Sequence, residues 1–88
     1  MPRFIIERTV PPLSPDELTE AARRSKAAIA QLPGVVWIKS YISEADGKIY
    51  CEYEAPSAEL LWEHARRAQL PIDRVSAIGL EINPDMFT

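Results

Sequence analysis

Side chains that bind metals or attack substrates are scarce in this chain. It has one cysteine, Cys51, and one histidine, His64, and both fall within KIYCEYEAPSAELLWEHA, residues 48 to 65. A single cysteine forms no internal disulfide and no CxxC motif, so any role for Cys51 is that of a thiol. Strong metal centres draw on several His or Cys residues at ligand spacing, which this sequence does not have. Excess positive charge is also missing. Ten bases are spread among 13 acids for a net charge of −3, and phosphate backbones need an extended positive field, so nucleic acid is not an expected partner. Long hydrophobic runs are absent as well. The start, MPRFIIERTV, has too few apolar residues for a signal peptide, and no later run approaches membrane-spanning length. The expectation is a cytoplasmic protein with no membrane partner.

What the chain does have is enough apolar material for one core. Its 88 residues are 47% hydrophobic and 26% charged, the balance of a soluble globular domain, and a chain this short supports a single one, residues 1–88.

The local signals follow one another in order. RFIIERTV is rich in β-branched and aromatic residues and stops at Pro11-Pro12, which predicts a strand. LSPDELTEAARRSKAAIAQLPG predicts a helix with Ser14 as N-cap, Pro15 at its first position and Glu17 completing a capping box. Its apolar stripe is Leu18, Ala21, Ala22, Ala28, Ile29 and Leu32, with Ser25 inside it, and Pro33-Gly34 ends it. VVWIKSYISEADGKIYCEYEAP places two strand-like runs around Asp46-Gly47, the signature of a two-residue type I′ turn. That turn pairs Ala45 with Lys48, which sets Ile42 opposite Cys51, Tyr41 opposite Glu52, Ser40 opposite Tyr53 and Lys39 opposite Glu54. One face then carries Val36, Ile38, Ser40, Ile42, Cys51 and Tyr53, and the other Trp37, Lys39, Tyr41, Tyr50, Glu52 and Glu54.

Ser57 is expected to cap a second helix, AELLWEHARRAQ, whose apolar side holds Leu60, Leu61, His64, Ala65 and Ala68, with Pro71 as the breaker. DRVSAIGLEINP alternates through Ile78, Leu80 and Ile82 and predicts a half-buried last strand ending at Pro84. The order β-α-β-β-α-β in one short chain predicts an α+β ferredoxin-like sandwich, a four-stranded antiparallel sheet with two helices on one face. The other face is open, and its aromatics predict a homodimer that covers them.

Three constellations emerge. Beneath the second helix, His64 approaches Cys51, Tyr53 and Ser40. This reads as a Cys-His pair or a His64–Tyr53 acid/base couple, or else as core packing in which Cys51 is a small buried hydrophobe. On the open face, Trp37, Lys39, Tyr41, Tyr50, Glu52 and Glu54, with Glu7 and Glu81 as neighbours, furnish a small-molecule pocket once a second copy closes over them. The other reading there is a Lys39–Glu54 cross-strand pair among interface aromatics. A binding pocket is thus drawn from Trp37, Lys39, Ser40, Tyr41, Tyr50 and Cys51. The third constellation is a metal site, in which carboxylates with His64 would form an oxygen and nitrogen site suited to nickel or zinc, completed across a dimer. Glu59, Glu63, Arg66 and Arg67 read instead as a solvated helix face.

FIIERTV, WIKSY, KIYCEYEAP, EHARRAQLPIDRV and the closing INP, in this order over nearly the whole chain, resemble a family of small bacterial nickel-binding, nickel-responsive ferredoxin-like proteins. The resemblance implies the ferredoxin-like fold, a dimer and nickel at the dimer surface; no organic cofactor is indicated. It also exposes a departure. Gln69 stands before Leu70-Pro71 where similar sequences carry glycine, so the easy left-handed cap of the second helix is lost. The leading expectation is a dimeric nickel-binding protein. The alternatives are a cofactor-independent enzyme in which His64 with Tyr53 or Glu52 exchanges protons on a small organic molecule, and an interaction module that uses its open face.

Overall fold

The structure, a computed structural model, describes residues 1–87. Alternation along β1 (Arg3–Thr9) sends Phe4, Ile6 and Arg8 into the interior and Arg3, Ile5 and Glu7 outward. The proline pair that follows ends the strand. α1 (Pro15–Ile29) opens with the expected capping box, in which Glu17 N–H donates to Ser14 Oγ at 3.1 Å and Ser14 N–H donates to Glu17 Oε1 at 2.9 Å. β2 (Val36–Ser43), β3 (Lys48–Glu54), α2 (Ala58–Ala68) and β4 (Arg74–Ala77) complete the predicted order. The sheet order is β2-β3-β1-β4, and every pairing is antiparallel. Both helices cover the face that carries Phe4, Ile6, Cys51 and Tyr53, and Leu61 of α2 completes the core between the layers. This is the ferredoxin-like α+β architecture.

Three expectations are corrected. The hairpin closes through a four-residue loop, 44–47, in which Gly47 N–H donates to Glu44 O at 3.3 Å. Gly47 has φ +64° but Asp46 does not share it, whereas a type I′ turn needs positive φ at both central residues. The register is therefore displaced by two residues: Ser43 pairs with Lys48, Ile42 with Ile49, Tyr41 with Tyr50, Ser40 with Cys51 and Lys39 with Glu52. An even displacement keeps each side chain on its face and changes only its partner.

The second correction does change a face. A bulge between Trp37 and Lys39 inserts Ile38, so that Trp37 lies opposite Tyr53 and Val36 opposite Glu54. Trp37 thus joins the helix-covered side, while Val36 and Ile38, expected inside, are 44% and 40% exposed. The exchange buries the large indole in place of two smaller aliphatic groups.

The last strand is shorter than its alternation predicts. Asp73 N–H donates to Glu7 O and Ile78 N–H to Arg3 O, which brackets the ladder between the ends of β1. Beyond Ile78 no partner strand remains among the described residues, and Leu80 and Ile82 are exposed. At the end of α2, Gln69 adopts the left-handed conformation itself, φ 56° and ψ 45°, and Leu70 N–H closes the turn on Ala65 O at 3.0 Å.

Candidate functional site

The pleat of β3 and the apolar stripes of two helices bring three polar side chains together in the core. Tyr53 of β3, Ser25 of α1 and His64 of α2 form a chain, with Ser25 Oγ 3.2 Å from Tyr53 Oη and 3.1 Å from His64 Nε2. The phenol and imidazole rings are 5.2 Å apart. His64 is fully enclosed and its Nδ1 has no partner. Burial first, and the positive charge of Arg8 second, push its pKa down to about 4, so the imidazole is neutral at physiological pH. Burial raises the Tyr53 pKa, although Ser25 and Arg8 oppose the shift. The chain thus links a neutral imidazole to a neutral phenol.

A second polar chain runs beside it. Trp37 Nε1–H donates to Ser40 Oγ at 2.9 Å, and Ser40 Oγ–H donates to Cys51 Sγ at 2.9 Å. The Trp37 and Tyr53 rings stack with centroids 6.5 Å apart. Cys51 and His64 consequently belong to different chains, each with its own serine. The four groups expected to converge under α2 are divided two and two.

Arg8 completes the interior. It is 3% exposed, its Nη1–H donates to Pro71 O at 2.7 Å, and its Nη2 has no partner. Among the described residues no carboxylate pairs with it. Between α1 and the sheet lies a cleft of about 70 Å³ that reaches Arg8, Ser25, Trp37, Cys51 and Tyr53. Neither Arg8 nor Ser25 stood among the candidates from sequence. Arg8 had a signal, since it continues the inward alternation of Phe4 and Ile6; Ser25 had one in its place within the α1 stripe.

The remaining candidates lie on the opposite face. Arg3 Nη1 binds Glu52 at 2.9 Å and its Nη2 binds Glu81 at 2.5 Å. Lys39 lies opposite Glu52, with its Nζ 6.0 Å from the Tyr41 ring centroid, and Tyr41 lies opposite Tyr50. Glu52 is therefore separated by the sheet from His64 and Tyr53. On α2, Glu63 pairs with Arg66 and Arg67, as expected for a solvated helix face, and these partners lower its pKa to about 2.

A metal ion fits neither polar chain. Among the described residues no three His, Cys, Asp or Glu side chains gather at ligand range. His64 faces a serine and the field of a cation, the reverse of what a divalent ion needs. No helix among the described residues is long and apolar enough to cross a membrane.

Comparison with known proteins agrees with the architecture. A family model described as nickel responsive protein SCO4226-like matches residues 4–78. The crystal structure of SCO4226 from Streptomyces coelicolor A3(2) superimposes with a TM-score of 0.80 at 26% identity, covering 91% of this chain and 99% of that one. No curated protein matches at a significant level.

Proposed function

This chain belongs to the SCO4226-like family of nickel-responsive proteins, and from that membership we propose that it is a small cytoplasmic protein that takes up divalent nickel as a dimer. The family match over residues 4–78 carries the reading. Its physical form follows from the donor inventory. Nickel favours imidazole nitrogen together with carboxylate or water oxygen, and the one imidazole of this chain is enclosed beside Arg8. The ion is therefore sought between copies, where exposed carboxylates of two chains meet.

A second copy has apolar surface to cover. Val36, Ile38, Tyr41 and Ile42 on the edge strand β2, and Leu80, Ile82, Met86 and Phe87 after β4, are all more than a third exposed. That is more than the single scattered apolar residues of an ordinary surface.

Calorimetric titration with nickel, zinc and copper, run beside sedimentation, tests the proposal. The expected result is nickel uptake at about one ion for every two chains, as a site on a two-fold axis requires, lost when dilution separates the copies. His64→Gln should leave uptake unchanged while lowering stability. No heat and no shift in melting with any of the three ions would overturn nickel binding. A monomer that binds one ion per chain would overturn the shared site.

A further inference from the structure

A guanidinium cannot shed its proton in a protein, so a buried arginine needs an anion, and Arg8 has none. Only one of its terminal nitrogens is engaged, by the Pro71 carbonyl, and the other is enclosed without a partner. Two spaces meet at this side chain. One is the inner cleft of about 70 Å³ between α1 and the sheet. The other is an outer recess of about 410 Å³ bounded by Leu13, Glu17, Glu20 and Leu70. The inner walls come from Leu18, Ala22, Trp37, Ile49 and Tyr53. The cleft itself is apolar and the enclosed Arg8 guanidinium borders it, so the lining matches an apolar body that carries one anionic group.

We infer that Arg8 receives the carboxylate of a small organic monoanion whose apolar or aromatic body lies against Trp37 in the cleft between α1 and the sheet. The planar guanidinium fork matches a carboxylate, and its free nitrogen supplies a donor that the fold leaves unused. Charge around the outer recess disfavours a second negative charge on the ligand. Asp16, Glu17 and Glu20 border the outer recess. The one other base there, Arg24, is already engaged by Ala68 O at 2.9 Å and Glu20 at 3.8 Å. These carboxylates repel any anion, and a dianion about twice as strongly as a monocarboxylate. This site goes beyond the nickel reading and uses none of the groups on which that reading depends.

The chain has two tryptophans, Trp37 and Trp62, so a Trp62→Phe background makes Trp37 the fluorescent reporter. Benzoate, hexanoate and inorganic phosphate are titrated into the folded protein, with melting followed in parallel. The expected result is a saturable change in Trp37 emission and a raised melting temperature with benzoate or hexanoate. Phosphate should bind about tenfold more weakly. Arg8→Met should weaken carboxylate binding by about thirtyfold or more, the cost of losing a buried charged partner. Ala22→Leu fills the cleft and leaves Arg8 in place; it should weaken binding as well, and it decides the matter if Arg8→Met does not fold. The inference is overturned by the absence of a saturable response to both carboxylates. It is equally overturned by undiminished affinity in either variant, or by phosphate binding as tightly as the carboxylates.

Discussion

Arg3 and Arg8 stand on the same strand, five positions apart, and an odd separation puts them on opposite faces of the sheet. Arg3 faces solvent, its side chain 36% exposed, and holds two carboxylates, Glu52 and Glu81. Arg8 is enclosed, with one carbonyl for a partner. The usual expectation is the reverse, since water shields an exposed charge and a buried one depends on its partners. The open face thus neutralises Arg3 within the chain, and the covered face leaves Arg8 without a carboxylate. Unsatisfied charge in an interior is a mark of function more than of stability.

The contrast can be broken in measurable ways. The largest expected effect is that of acid on the covered face. The folded-state pKa of His64 is about 4 against an ordinary 6.5. Between those values the unfolded chain takes up a proton that the folded chain refuses, so the contribution is complete above pH 6.5 and is lost as pH falls towards 4. Chemical denaturation across that range should show a loss of roughly 2 to 3 kcal/mol, and His64→Gln should flatten the profile. Next, Arg8→Met should raise the stability of the ligand-free protein by about 2 kcal/mol, because an apolar side chain of similar length replaces an unpaired buried charge. A loss instead would mean that the Pro71 bond outweighs desolvation.

Ser25→Ala strands both the Tyr53 hydroxyl and His64 Nε2 and should cost about 1 to 2 kcal/mol, read from urea midpoints at pH 7.5. Gln69→Gly tests a position off both faces. Relief of the left-handed conformation at the end of α2 should raise stability by up to about 1 kcal/mol. Smallest of all, Arg3→Gln on the open face should leave the urea midpoint almost unchanged, and salt should erase what difference there is. A larger loss there would erase the difference between the two faces.

Much of this was legible before any coordinates. The α1 capping box, the order of elements and the inward side of α2 all follow from local signals, because each depends on residues within one or two turns of one another. What failed was what depends on distant partners. Asp46-Gly47 announces a tight turn, but the backbone of Asp46 settles into a four-residue loop, and that loop sets the register. The bulge at Ile38 cannot be read from VVWIKS, where apolar side chains fill consecutive positions and alternation carries no information. β4 ends where β1 begins, a length written in another part of the chain. For the same reason Cys51 and His64 looked like partners: each has a serine from a different element, and no single segment reveals that.

The bulge at Ile38 also bears on how this protein avoids open-ended stacking of its edge strands. β2 is an edge strand with exposed Val36, Ile38 and Ile42, the sort of border along which identical chains stack into fibres. One extra residue kinks that border, and Lys39 follows directly after it. A straight strand laid alongside would lose its hydrogen-bond spacing at Ile38 and meet a charge one step later, so the edge admits a partner only where the partner carries a matching kink.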